Sequence, residues 1–280
     1  MLNKIFSITA FCTLAIGLYA AKEDKKGATT TQQSENCGEK GRFYAGIFGG
    51  GGGFTVSDMT QSAIKYNPPS QGGTTNVTAT GGGRTAGVGM AGLQVGYLWP
   101  DLVENNPKRA GPSKLSIGTE FEGYYLGTKL NRYLGTNFSS YYSTFPINGG
   151  TLLGGLAFHF GMYEPSRYHL LLGAAAGASV LTAHNATSYQ VQPLETGINH
   201  FNTKSTATAW TFAAQGKGGL MFDVTDHFKI TAEYRFLYLT PARFSFGATS
   251  YPGHPPTSPW RVKFGNMFVN TGDLGLSYYF

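Results

Sequence analysis

Beyond residue 41 the chain falls into eight segments of roughly ten to thirteen residues in which apolar side chains recur at every second position. That is the length a tilted strand needs to cross a bilayer. FKITAEYRFLYL, residues 228 to 239, is the clearest: Phe228, Ile230, Ala232, Tyr234, Phe236 and Tyr238 share one face, and Lys229, Thr231, Glu233 and Arg235 the other. The other seven are GRFYAGIFGG, MAGLQVGYLW, KLSIGTEFEGYYL, TLLGGLAFHFGMY, YHLLLGAAAGASVL, AWTFAAQGKGGLMF and the terminal MFVNTGDLGLSYYF. In the last, Leu274, Leu276, Tyr278 and Phe280 alternate with Asp273, Gly275 and Ser277 to the final residue, so a strand is expected to run to position 280.

Composition narrows the class. Only 13% of residues are charged, 40 of 280 are glycine and 14% are aromatic, yet the mean hydropathy is −0.16. Lipid-facing residues diluted one for one by lumen-facing ones give that combination. The expected fold is all-β: a transmembrane antiparallel up-and-down β-barrel of about eight strands. A net charge of +6 without a basic cluster argues against a nucleic-acid partner.

At the N-terminus, Lys4, an apolar run from Ile5 to Leu18, and small residues at Ala20 and Ala21 read as a signal peptide over residues 1 to 20. KEDKKGATTTQQSENCGEKG, within residues 21 to 41, reads as a disordered periplasmic leader. The barrel is then expected over 42 to 280. Cys12 leaves with the signal and Cys37 alone cannot form an internal disulfide. TAFC lacks a lipoprotein box, so no lipid anchor is expected.

Connections are expected to alternate between short periplasmic turns (EPSR at 164 to 167, VTDH at 224 to 227) and four long outer loops near 55 to 85, 127 to 149, 183 to 206 and 241 to 265. PDLVENNPKRAGPS, residues 100 to 113, is long for the periplasmic side where it must lie. Extra pairing by AIKYN or SSYYSTF would raise the strand count to ten.

These residues resemble the eight-stranded outer-membrane barrels of Gram-negative bacteria, the group of the opacity-like proteins and the membrane domain of outer-membrane protein A. The likeness rests on GRFYAGIFGG after a signal peptide, on the alternating strands, and on Asp273-x-Gly275-x-x-Tyr278-x-Phe280, which is similar to the C-terminal signal read by the barrel assembly machinery. It implies an outer-membrane address, contact with lipid and lipopolysaccharide, and assembly by that machinery through Asp273, Gly275, Tyr278 and Phe280.

Seven charges fall on the lumen face: Glu120, Glu122, Lys217, Lys229, Glu233, Arg235 and Asp273. Inside a low-dielectric barrel they must pair, which predicts a plug of salt bridges; a narrow ion path is the functional alternative. His159 and His169 face inward as packed or hydrogen-bonded residues, and no metal or other cofactor is expected. Gly49 to Gly53 lacks the helix and Lys-Ser/Thr pair of a phosphate loop. His184, Ser188, His200 and His254 in the outer loops hold the ingredients of a lipid-modifying enzyme without a recognisable motif. The expected function is therefore a non-enzymatic surface protein with a structural or adhesin-like role. Its loop segments YYSTF, SYQVQ and YPGHPPTSPW would meet a host surface or protein ligand. A small porin is the alternative, and a lipid-modifying enzyme the third reading.

Overall fold

A computed structural model describes residues 41–100, 114–161 and 167–280. The signal segment, the leader apart from Gly41, and most of the connections 100 to 113 and 164 to 167 lie outside the described residues.

Twelve strands are present among them: β1 (Arg42–Tyr66), β2 (Thr74–Leu98), β3 (Lys114–Gly135), β4 (Ser140–Gly161), β5 (Tyr168–Ala183), β6 (Thr187–Gln192), β7 (Leu194–Asn199), β8 (Ala207–Asp223), β9 (Phe228–Leu239), β10 (Ala242–Ser245), β11 (Arg261–Phe264) and β12 (Met267–Tyr279). Eight of them close a ring in the order β1-β12-β9-β8-β5-β4-β3-β2 and back to β1, every neighbour antiparallel. Ala45 shows the closure: it sits opposite Val95 of β2 on one side and Tyr278 of β12 on the other. Around the apolar belt each ring strand is paired on both sides, and even Phe280 donates its backbone N–H to Phe43 at 2.9 Å.

The outer surface carries a belt of exposed apolar side chains, among them Ile47, Leu93, Phe121, Leu152, Leu220, Ile230 and Leu274. Exposed aromatics edge it: Phe43, Trp99, Tyr168, Phe228 and Phe280 at one end, Tyr125, Trp210 and Tyr234 toward the other. Phe268 on β12 and Phe280 directly after that strand are twelve residues apart. At a rise of ~3.3 Å and a strand tilt of about 40°, that gives roughly 30 Å of height, the thickness of a hydrocarbon core.

The expected loops at 55 to 85 and 127 to 149 are instead strand on either side of short turns at 67 to 73 and 136 to 139. β1 and β2 pair as far as Tyr66 opposite Thr74, and β3 and β4 as far as Gly135 opposite Ser140. AIKYN and SSYYSTF therefore lengthen ring strands and add none, so the ring stays at eight. The third and fourth loops hold short strands of their own: β6 pairs with β4 and β7, and β11 with β1 and β10. The barrel thus projects well past its apolar belt.

The alternation inverts along this projection. Within the belt, apolar residues point out and polar ones in; above it, Phe54, Val56, Leu126, Leu130, Phe145, Ile147, Leu237 and Phe264 point in and are buried. Outward neighbours become Thr55, Lys129, Asn131 and Thr144. The lower half is solvated by lipid around a polar interior, and the upper half is a water-facing barrel around an apolar core.

Candidate functional site

Adjacent strands put inward residues at one level, so the sequence-distant charges of β3, β8, β9 and β12 meet in a single layer. Glu122 opposes Gln94 on β2, Lys217 opposes Arg235, and Glu233 opposes Asp273. Arg235 is the hub: it donates to Glu122 at 2.7 Å and Glu233 at 2.9 Å, and its Nε lies 3.2 Å from Asp273. Lys217 reaches Glu122 at 2.6 Å and also bonds Glu120. The neutral groups Tyr44, which donates to Glu120 at 2.6 Å, and Gln215, which donates to Glu122 at 2.6 Å, complete the layer. Arg235 also covers the Phe48 ring at 3.8 Å from its centroid.

Six of the seven expected lumen charges are brought together in this way. Lys229 is not. It lies near the aromatic end of the belt, 3.1 Å from Asp223, whose other oxygen is 2.9 Å from His169 Nε2, and over the Tyr279 ring. Asp223 ends β8 beside a turn, where the two-residue alternation no longer marks its facing. His159 is buried beside Tyr44.

Of the four residues in the expected assembly signal, Asp273 belongs to the charge layer. A Cβ at Gly275 would press on Thr231. Tyr278 and Phe280 point outward at the lower edge and meet edge to face, 5.0 Å apart.

Above the charge layer, the apolar core fills the ring. Phe145 touches the rings of Phe201, Phe246 and Phe264, and Trp260 and Tyr141 close over them. At the rim the outer-loop residues separate into two groups. Ser188 accepts from Gln61 at 2.9 Å and Ser143 at 2.9 Å, so its hydroxyl lies in a buried polar knot and not against a histidine. His200 and His254, 54 positions apart in sequence, instead converge on Glu195 of β7, at 3.5 and 3.2 Å. Burial first, then His254 and Lys65, pushes the His200 imidazole down to about 4. Burial, reinforced by the Glu195 charge, pushes the Tyr141 phenol up to about 12. Both side chains are neutral at neutral pH.

No known family profile matches the chain. No curated protein matches it either. Among solved structures the chain is similar to Neisserial surface protein A, at 12% identity over 82% of this chain and 99% of that one, with a TM-score of 0.33. It is also similar to Ail, the attachment invasion locus protein of Yersinia pestis, at 14% identity over 86% and 100% with a TM-score of 0.29. A third is outer membrane protein AlkL, at 13% identity over 92% and 97% with a TM-score of 0.30. The eight-stranded barrel architecture rests on the closed strand pairing and the apolar belt, not on these likenesses.

Proposed function

We propose that the protein is a bacterial outer-membrane surface protein whose barrel is a filled, non-conducting anchor and whose projecting rim binds a ligand outside the cell. The observation that carries this reading is the β3–β4 turn. Thr136 Oγ1 accepts from the backbone N–H of Phe138 at 3.0 Å and of Ser139 at 2.7 Å, so the turn is held rigid, yet Phe138 is 88% exposed. Tyr133 and Tyr142 meet below it at a tilt, ring centroids 4.8 Å apart, and Leu194 on β7 is 73% exposed. Rigid aromatic side chains held in water supply contact area at little entropic cost, which suits recognition.

The lumen supports the same reading against a porin. The charge layer and the apolar core obstruct it at two levels, and eight strands enclose little more than their own side chains. Under this proposal the lower aromatic edge faces the periplasm, lipid and lipopolysaccharide surround the belt, and the assembly machinery reads the terminal strand. We assign no enzymatic role, because Ser188 is committed to Gln61 and Ser143.

The test is adherence of cells displaying the wild type or a Phe138→Ser/Leu194→Ser variant to a host-cell monolayer, at matched surface levels. Loss of adherence in the variant supports a rim-binding role. Equal adherence, together with stepwise conductance of the purified protein in a planar bilayer, would replace it with the porin reading.

A further inference from the structure

Glu195, His200 and His254 form a constellation that neither the barrel architecture nor a rim-binding role requires. Glu195 lies on β7, His200 follows that strand, and His254 sits in the turn between β10 and β11, where its N–H bonds Tyr251 O at 3.2 Å and Gly253 takes a left-handed φ of 76°. One ligand atom from each falls within 4.8 Å of the other two. Nitrogen and oxygen donors bound at ~2.1 Å in a tetrahedral arrangement stand about 3.4 Å apart. The Glu195 Oε2 distances of 3.5 Å to His200 Nε2 and 3.2 Å to His254 Nε2 match that spacing.

Hydrogen bonding orients His200. Thr249 Oγ1 accepts from Trp260 Nε1 at 2.9 Å and lies 3.1 Å from the His200 carbonyl and 3.2 Å from His200 Nδ1. With the single Thr249 proton on the carbonyl, Nδ1–H donates to Oγ1 and the lone pair is on Nε2, the tautomer a metal-bound imidazole needs. Glu195 Oε2 is hydrogen-bonded to His254 Nε2 at 3.2 Å, and His200 Nε2 points at the same oxygen from 3.5 Å without a hydrogen bond of its own. His200 Nε2 has no hydrogen-bond partner, and the residue is 3% exposed. A ligating histidine held by a hydrogen bond on its other nitrogen is the usual arrangement around a bound metal.

We propose that Glu195, His200 and His254 bind a divalent transition-metal ion, Zn²⁺ by donor type, with Thr249 and Trp260 orienting His200. Two imidazoles and one carboxylate suit zinc and leave its fourth position open. Glu195 and His254 keep part of their surface exposed, so the ion enters from solvent. Bound there, it ties the β6–β7 hairpin to the loop carrying His254, clamping two segments of the rim that are far apart in sequence.

The experiment uses the full chain purified without a histidine tag, stripped with a chelator, and titrated with Zn²⁺ against a chromogenic chelator. One equivalent should bind to the wild type. His254→Ala and Glu195→Gln, chosen because both residues are partly exposed and less needed for folding than His200, should each weaken binding by more than about a hundredfold. That is beyond the ten- to hundredfold expected of an orienting residue such as Thr249→Val. His184→Ala, on an exposed rim histidine outside the cluster, should bind as wild type. Co²⁺ in place of Zn²⁺ should give a tetrahedral visible spectrum without a thiolate charge-transfer band. Failure of the wild type to bind one equivalent, unchanged affinity in both ligand variants with the folded gel mobility retained, or a thiolate band assigning the metal to Cys37, would each overturn the proposal.

Discussion

Replacing Arg235 by Met removes the hub of the charge layer while keeping an apolar side chain over Phe48. The layer holds four carboxylates, Glu120, Glu122, Glu233 and Asp273, against two cations, Lys217 and Arg235. Without Arg235 a single cation faces four carboxylates, and Glu233 and Asp273 lose the partner they share. Breaking a buried ion pair from one side costs about 3 to 5 kcal/mol. We expect Arg235→Met to lower the unfolding free energy by that amount, read from urea unfolding in lipid vesicles with the heat-modifiable gel shift as the folded-state check. Adding Glu233→Gln and Asp273→Asn should recover more than half of the loss, because no uncompensated carboxylate then remains at those two positions. A single variant within about 0.5 kcal/mol of wild type, or a triple variant no more stable than the single, would refute the pairing account.

Phe145→Ala, in the core above the belt, should cost about 3 to 5 kcal/mol and open the projecting strands to protease while the membrane-embedded fragment keeps its shifted gel mobility. Leu274→Arg, on the lipid face, should cost roughly 2 to 4 kcal/mol, whereas Thr231→Ser on the lumen face should be tolerated, both by the same unfolding assay. Deleting Phe280 removes about 1.5 to 3 kcal/mol of burial, too little to open a closed ring, so the shortened chain should refold in detergent but reach the outer membrane in lower yield from a low-copy promoter. With Zn²⁺ at a hundred times its dissociation constant, the metal-bound state gains about 2.7 kcal/mol over any state that cannot bind, which should slow proteolysis between residues 193 and 256.

The lower barrel was legible because one physical rule governs it: lipid outside and protein inside force a two-residue period, and Phe228 to Phe236 obeys it throughout. The upper barrel obeys the opposite rule. On β1, Gly53 and Thr55 face water while Phe54 and Val56 face the core, and the buried set then moves from even to odd positions across Ser57 and Asp58, to Met59, Gln61 and Ala63. A Gly- and Thr-rich stretch with a shifted phase reads as loop, although β1 and β2 pair through it as far as Tyr66 opposite Thr74. For the lumen charges, alternation sets the facing but not the height, and Lys229 faces inward at the level of Asp223 and Tyr279, away from the charge layer. At the rim, His200 and His254 were visible as residues of two separate loops. Glu195 carries no signal in the sequence pattern, because only the β6–β7 hairpin brings it to the histidines.

The most direct test of the account is a nitroxide scan of the outward positions of β4, residues 142 to 160, with accessibility measured to oxygen, which partitions into lipid, and to a water-soluble nickel chelate. Labels at Leu152, Leu156, Phe158 and Phe160 should favour oxygen, those at Tyr142, Thr144, Pro146 and Asn148 the chelate, with inward Phe145 and Ile147 shielded from both. Oxygen preference extending to Tyr142, or chelate access to the Phe145 and Ile147 positions, would contradict a membrane barrel that continues into water around a closed apolar core.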